Sequence, residues 1–184
     1  GPSPDCTAIE DLEGKKIRSF GADVPKMHNA IGAVPVTVQP TEVYEALQRG
    51  TIDYSYLNAG NVETLRLYEP GKYSCGPVMV ITGHLIVIGK RTWDRLPPDI
   101  QEIIADQAQK SQQEYLDWLA EGTEQSLANI EANGGVIKEF PESELAKWKA
   151  ATPDLLAEWA EEMAARGYGE QGQQVSDAWR EWTK

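Results

Sequence analysis

The chain has 184 residues but only two histidines, two cysteines and two phenylalanines. That scarcity removes most metal and nucleophilic chemistry. His28 and His84 are far apart in sequence. Cys6 and Cys75 form no CxxC pair and have no histidine at ligand spacing. There is no GxSxG elbow, no HExxH pair and no phosphate loop. No pattern asks for a cofactor or a metal, and the expectation is a binding protein rather than an enzyme. Basic residues are also outnumbered, 17 Lys and Arg against 29 Asp and Glu, for a net charge of −12. Nucleic acid binding needs a basic surface that releases counterions, so no nucleic acid partner is expected. The acidic surface serves solubility. No apolar run is long enough to cross a bilayer. The most apolar stretch, 76–88, is broken by Gly83 and His84.

A hydrophobic content of 41% is enough for a packed core. Thr7 to Glu10 fits a capping box before a turn at Gly14. Residues 16–19 read as a strand, and Pro25 suits the first turn of a helix that Gly32 ends. Alternating valines make 34–39 a strand. Pro40-Thr41 opens a helix with Thr41 as its cap, Gly50 ends it, and 51–57 read as the next strand. This β-α-β-α-β order predicts a parallel or mixed sheet covered by helices. A helix over 61–68 and strands over 73–82 and 84–89 follow, with Gly83 as a bend.

After Pro98 the apolar spacing changes to three and four, from Ile100 through Trp118 to Ile130, and stops at Asn133-Gly134-Gly135. A helix of that length spans ~50 Å, too long for one small domain. Residues 136–140 read as a strand. Thr152-Pro153 caps a helix running to Ala165, 167–172 read as a loop, and 175–182 as a terminal helix. Trp148, Trp159, Trp179 and Trp182 sit at helical spacing and suit packing. His28 reads as helix surface and His84 as structural. Cys6 and Cys75 are either one disulfide or two free thiols. A bridge would contribute roughly 4 kcal/mol by chain entropy.

Three segments together carry a resemblance. They are Asp11-Leu12-Glu13-Gly14-Lys15-Lys16-Ile17-Arg18, then Ile31-Gly32-Ala33-Val34-Pro35-Val36, then the run from Glu42 to Asp53. In that order the chain resembles the solute-binding proteins of TRAP (tripartite ATP-independent periplasmic) transporters, from about Asp11 to the region of Phe140. The resemblance implies a periplasmic-binding-protein-like α/β fold of two hinged lobes. It implies a periplasmic location, an organic-acid ligand, and delivery to the permease subunits of a membrane transporter.

Arg18 matches the family's arginine in the Lys-Ile-Arg motif, which grips the ligand carboxylate with paired hydrogen bonds. Position agrees, because ligands of open α/β sheets bind beyond the carboxyl ends of strands. A strand-edge arginine without that context is ordinarily solvated. Ser19 and Phe20 stand beside it. Pro40 lies at a helix N-terminus, where free backbone N–H groups favour anions. Many family members continue Gly-Gln-Glu-Asn-Pro after the third strand, whereas this chain has Tyr54-Ser55-Tyr56-Leu57-Asn58. The family's asparagine aligns with Leu57, and Asn58 comes one residue later. Tyr54 and Tyr56 share a strand face and offer stacking area and hydroxyls, pointing to a ligand larger or more aromatic than a C4-dicarboxylate. Their ordinary alternative is packing on the sheet.

Family members are larger. The resemblance implies the second lobe over 1–72, strands returning to the first lobe plus an interlobe helix over 73–135, and packing elements over 136–184. Most of the first lobe is then absent, and a missing lobe or another chain would cover exposed apolar surface. A periplasmic location permits oxidation of Cys6 and Cys75 to a disulfide. Two other classes fit the residues: a small α/β enzyme acting on a carboxylate, and a helical interaction module built on the long helix.

Overall fold

The computed structural model describes residues 1–76 and 86–182. The strand ends expected within 77–85, the bend at Gly83 and the role of His84 lie outside the described residues.

Strand β1 (Lys16–Ser19) pairs in parallel with β2 (Val34–Thr37), with Arg18 opposite Val36. Helix α1 (Val24–Asn29) crosses between them with Pro25 in its first turn. Gly32, at φ 72°, turns the chain back into β2, a conformation that suits a residue without Cβ. A short 3-10 turn (Pro40–Glu42) leads into α2 (Val43–Gln48). The third expected strand, 51–57, is only an isolated parallel bridge between Ile17 and Tyr54. Its backbone bonds are Arg18 N–H to Tyr54 O at 2.8 Å and Asp53 N–H to Lys16 O at 2.7 Å. The chain then leaves the sheet, because Asn58 caps the next helix, α3 (Ala59–Thr64), accepting from Asn61 N at 2.8 Å.

Strand β3 (Tyr73–Cys75) pairs in parallel with β4 (Val136–Lys138). Between them in sequence come α4 (Lys90–Trp93) and the long helix α5 (Pro98–Ala132). The length of α5 agrees with the expected helix, and the glycine stop works sterically. A Cβ on Gly135 would sit 2.5 Å from Ile130 Cγ2, so only glycine lets the chain fold back so closely. The C-terminal end of α5 is anchored on α3. There Ser126 and Ile130 are buried, and Asn129 Nδ2 donates to Glu63 Oε1 at 2.6 Å. Further toward its N-terminus α5 exposes Ile103, Leu116 and Trp118. Helices α6 (Glu142–Ala151), α7 (Leu155–Ala165) and α8 (Gly169–Trp182) complete the chain.

Several local expectations are corrected. At the first turn Asp11, not Thr7, supplies the capping oxygen, accepting from Thr7 N and Ala8 N. Thr41 is not a cap, because the 3-10 turn begins before it at Pro40. Asp154, not Thr152, caps α7, accepting from Ala157 N at 3.0 Å, while the Thr152 hydroxyl donates to Trp148 O. Residues 169–172, expected in a loop, open α8 instead, where Gly172 packs against Met163 of α7. Helix α6 was not anticipated. It carries Trp148 into the core and docks on the first turn, where Ile9 N–H donates to Glu144 Oε2 at 3.1 Å.

Two cores result. One gathers Cys6, Leu12, Ile17, Ile31, Tyr54 and Trp148 beneath β1. The other gathers Val38, Val43, Leu47, Ile52 and Leu67 around α2. Cys6 and Cys75 are bridged across a sequence separation of 69, with Cα atoms 5.8 Å apart. This bond ties the N-terminal segment to β3 through the first core.

Candidate functional site

At the carboxyl end of β1, Arg18, Ser19 and Phe20 meet Tyr56. Arg18 is only 4% exposed. Its Nε donates to Val38 O at 2.9 Å and its Nη1 to Tyr56 O at 3.3 Å, and its guanidinium lies 5.3 Å from the centre of the Phe20 ring. These contacts hold the fork in one orientation between the ends of β2 and the 51–57 segment. They use two of the five guanidinium N–H groups. No carboxylate pairs with Arg18 among the described residues. Burial pulls its pKa below the ordinary guanidinium value, and the Tyr56 phenol acts in the opposite direction. Desolvated positive charge without a counter-ion is normally costly, so it is normally paired or hydrogen-bonded.

Phe20 is 36% exposed, and its ring is tilted on that of Tyr56 at 5.8 Å. The Tyr56 and His28 rings form a T-shaped pair with centroids 5.7 Å apart. Burial lifts the Tyr56 phenol to about 12, and Arg18 works against that rise. Ser19 is buried beside them. Arg18, Ser19, Phe20 and Tyr56, singled out from the sequence, are therefore brought together.

The other three are engaged differently. Tyr54 is buried in the first core, where its hydroxyl donates to Asp5 O at 3.0 Å. Asn58 is exposed and its side-chain oxygen caps α3. Pro40 is exposed, its carbonyl accepts from Val43 N, and the nearby Gln39 N–H is already taken by the Glu42 carboxylate. An acidic side chain therefore already occupies the N-terminus where an anion was expected.

Sequence reading missed two neighbours. His28, expected on a helix surface, is 1% exposed, and burial lowers its pKa to about 4, so it is neutral. The signal was available: four residues after Val24, it shares the buried face of α1. The other is Ser55, next to Tyr56 in sequence, whose hydroxyl is buried without a hydrogen-bond partner. Among the described residues no cluster of His, Cys, Asp and Glu could hold a metal ion.

The sequence model of the family described as bacterial extracellular solute-binding protein, family 7, matches residues 5–162. The C4-dicarboxylate-binding periplasmic protein DctP of Rhodobacter capsulatus is 26% identical over 162 residues, covering 86% of this chain and 48% of that protein. The chain thus spans about half the length of this curated relative. A TRAP solute-binding protein of Rhodoferax ferrireducens, solved with copurified benzoate, is 26% identical with a TM-score of 0.69, covering 94% of this chain and 56% of that one. A TRAP periplasmic solute-binding protein of Sulfitobacter sp. NAS-14.1, solved with bound β-D-galacturonate, has a TM-score of 0.74 at 21% identity, covering 96% and 56%. The fold is therefore part of a periplasmic-binding-protein fold, helix-rich with small parallel sheets.

Proposed function

Because the chain belongs to family 7 of the bacterial extracellular solute-binding proteins, we propose that Arg18 is the anchor for the carboxylate of an organic acid in a TRAP transporter's solute-binding protein. One observation carries the reading: a buried, oriented guanidinium has N–H groups to spare and no acidic partner among the described residues. A ligand carboxylate supplies the missing charge through charge-assisted hydrogen bonds. The relatives agree in chemistry. A C4-dicarboxylate and benzoate, named for two of them, have a carboxylate in common. Phe20 and Tyr56 beside Arg18 offer aromatic surface, which favours a ligand body larger or more aromatic than a C4 chain.

The wider role follows from the family. The protein works in the periplasm, closes two lobes around the acid, and presents it to the permease subunits. The exposed apolar residues of α5, Ile103, Leu116 and Trp118, are covered by a further lobe or another chain. The function is binding rather than turnover.

Calorimetry on the full-length protein with a panel of organic acids tests the anchor. Arg18→Ala should cost roughly 2–4 kcal/mol of binding to an acid the native protein holds. Near-native affinity in that variant would refute the reading.

A further inference from the structure

Paired hydrogen bonds to a carboxylate depend on direction, so Arg18 serves as an anchor only while its guanidinium fork keeps one orientation. The two acceptors that orient the fork belong to different cores. Val38 O accepts from Nε, and the Val38 side chain is buried in the second core. Tyr56 O accepts from Nη1, and the Tyr56 side chain packs against the first core.

The two carbonyls are not held equally. Val38 directly follows β2. Tyr56 lies two residues past the isolated bridge at Tyr54, in a stretch with neither helix nor strand. Its carbonyl stays in place only as long as its side chain does. The Tyr56 hydroxyl has no hydrogen-bond partner, so packing alone holds that side chain. One packing partner is the part-exposed Phe20 ring, which also lies against the guanidinium. The other is the buried His28 ring, set across Tyr56 in the T-shaped pair.

His28 is itself fixed. Its carbonyl accepts from Ile31 N at 3.2 Å and from Ala33 N at 3.0 Å. The carbonyl before it, Met27 O, accepts from Trp148 Nε1 of α6 at 3.2 Å. A rigid ring therefore backs the one mobile-backbone acceptor of Arg18.

We propose that His28 is a positioning residue for acid binding: its ring holds Tyr56, and Tyr56 holds the Arg18 fork through its carbonyl and through Phe20. The proposal rests on the acid-binding reading of Arg18. His28 acts as a ring and not as a hydrogen-bonding group, since neither of its nitrogens has a partner. Phenylalanine therefore substitutes for it, and alanine does not.

Benzoate and succinate are the probes, titrated by calorimetry into the full-length protein, with each variant first shown to be folded by its melting transition. His28→Ala should weaken the tighter-binding acid by about tenfold or more, and His28→Phe should restore most of that loss. Arg18→Lys keeps the charge but has no planar fork to orient. Adding His28→Ala to it should cost less than about twofold, because two residues acting through one contact are not additive. Native affinity in His28→Ala would overturn the positioning role, as would a folded His28→Phe that restores nothing. An equal loss in the Arg18→Lys background would overturn it too, since a merely structural His28 gives that result. If His28→Ala does not fold, Tyr56→Leu, which removes the ring and keeps the carbonyl, takes its place with the same expectations alone and in the Arg18→Lys background. If the native protein binds neither acid, or Arg18→Ala binds as it does, the anchor reading fails and the positioning role fails with it.

Discussion

Reducing the Cys6–Cys75 bridge should weaken folding by about 4 kcal/mol. The bond closes a loop across a sequence separation of 69. Releasing a loop of that size returns chain entropy to the unfolded state amounting to about 4 kcal/mol at 25 °C. Little offsets the loss. Cys6 is 1% exposed among Leu12, Ile17 and Tyr54, and as a thiol it packs there as a small hydrophobe. Cys75→Ala isolates the same effect, because Cys75 sits only partly buried at the edge of that core. Urea melts with and without dithiothreitol measure it. At a slope of about 2 kcal/mol per M, the midpoint should drop by about 2 M on reduction, and Cys75→Ala should match the reduced native protein. The same core supports Tyr56, so acid affinity should weaken along with stability. A midpoint that moves by less than about 0.5 M would refute the reasoning, since the bridge would then restrain nothing that the core does not already hold.

Burial holds His28 at a pKa of about 4 in the folded protein, below its ordinary 6.5. The unfolded chain therefore takes up the proton first as pH falls. Stability is complete above about 6.5 and is lost progressively down to about 4, by about 3 kcal/mol in all. Urea midpoints between pH 7 and 4 for the native protein and His28→Gln measure this, and equal pH slopes would count against it. The apolar residues Ile103, Leu116 and Trp118 exposed on α5 should make residues 1–184 self-associate when produced alone. Sedimentation across a concentration series checks this. A monomer at every concentration would mean that α5 needs no cover.

Much of the fold was legible because its signals are local. The Lys16–Ser19 strand, the Pro25 helix and the glycine stop after Ala132 depend on residues within a few positions of one another. The missed cap shows how narrow that legibility is. Thr152 and Asp154 are both good caps, and the choice between them went to Asp154, which also accepts from Arg180 of α8 at 2.6 Å. Helix α6 went unread because its main anchors are distant in sequence. Glu144 meets Ile9, and Trp148 Nε1 donates to Met27 O at 3.2 Å.

At the site, the sequence alone determined that Arg18, Ser19 and Phe20 stand together, since they are adjacent at a strand end, and the family resemblance singled out Arg18. Tertiary structure alone decided the rest. Tyr54 and Tyr56 follow the same spacing, yet one hydroxyl is bound in the core to Asp5 while the other is left without a partner. Cys6 and Cys75 could have been thiols until the fold brought their Cα atoms to 5.8 Å. His28 passed as surface until α1 turned it against Tyr56. Spacing along a chain specifies which residues share a face. Whether that face meets solvent, core or ligand depends on what packs against it, and those partners lie dozens of residues away.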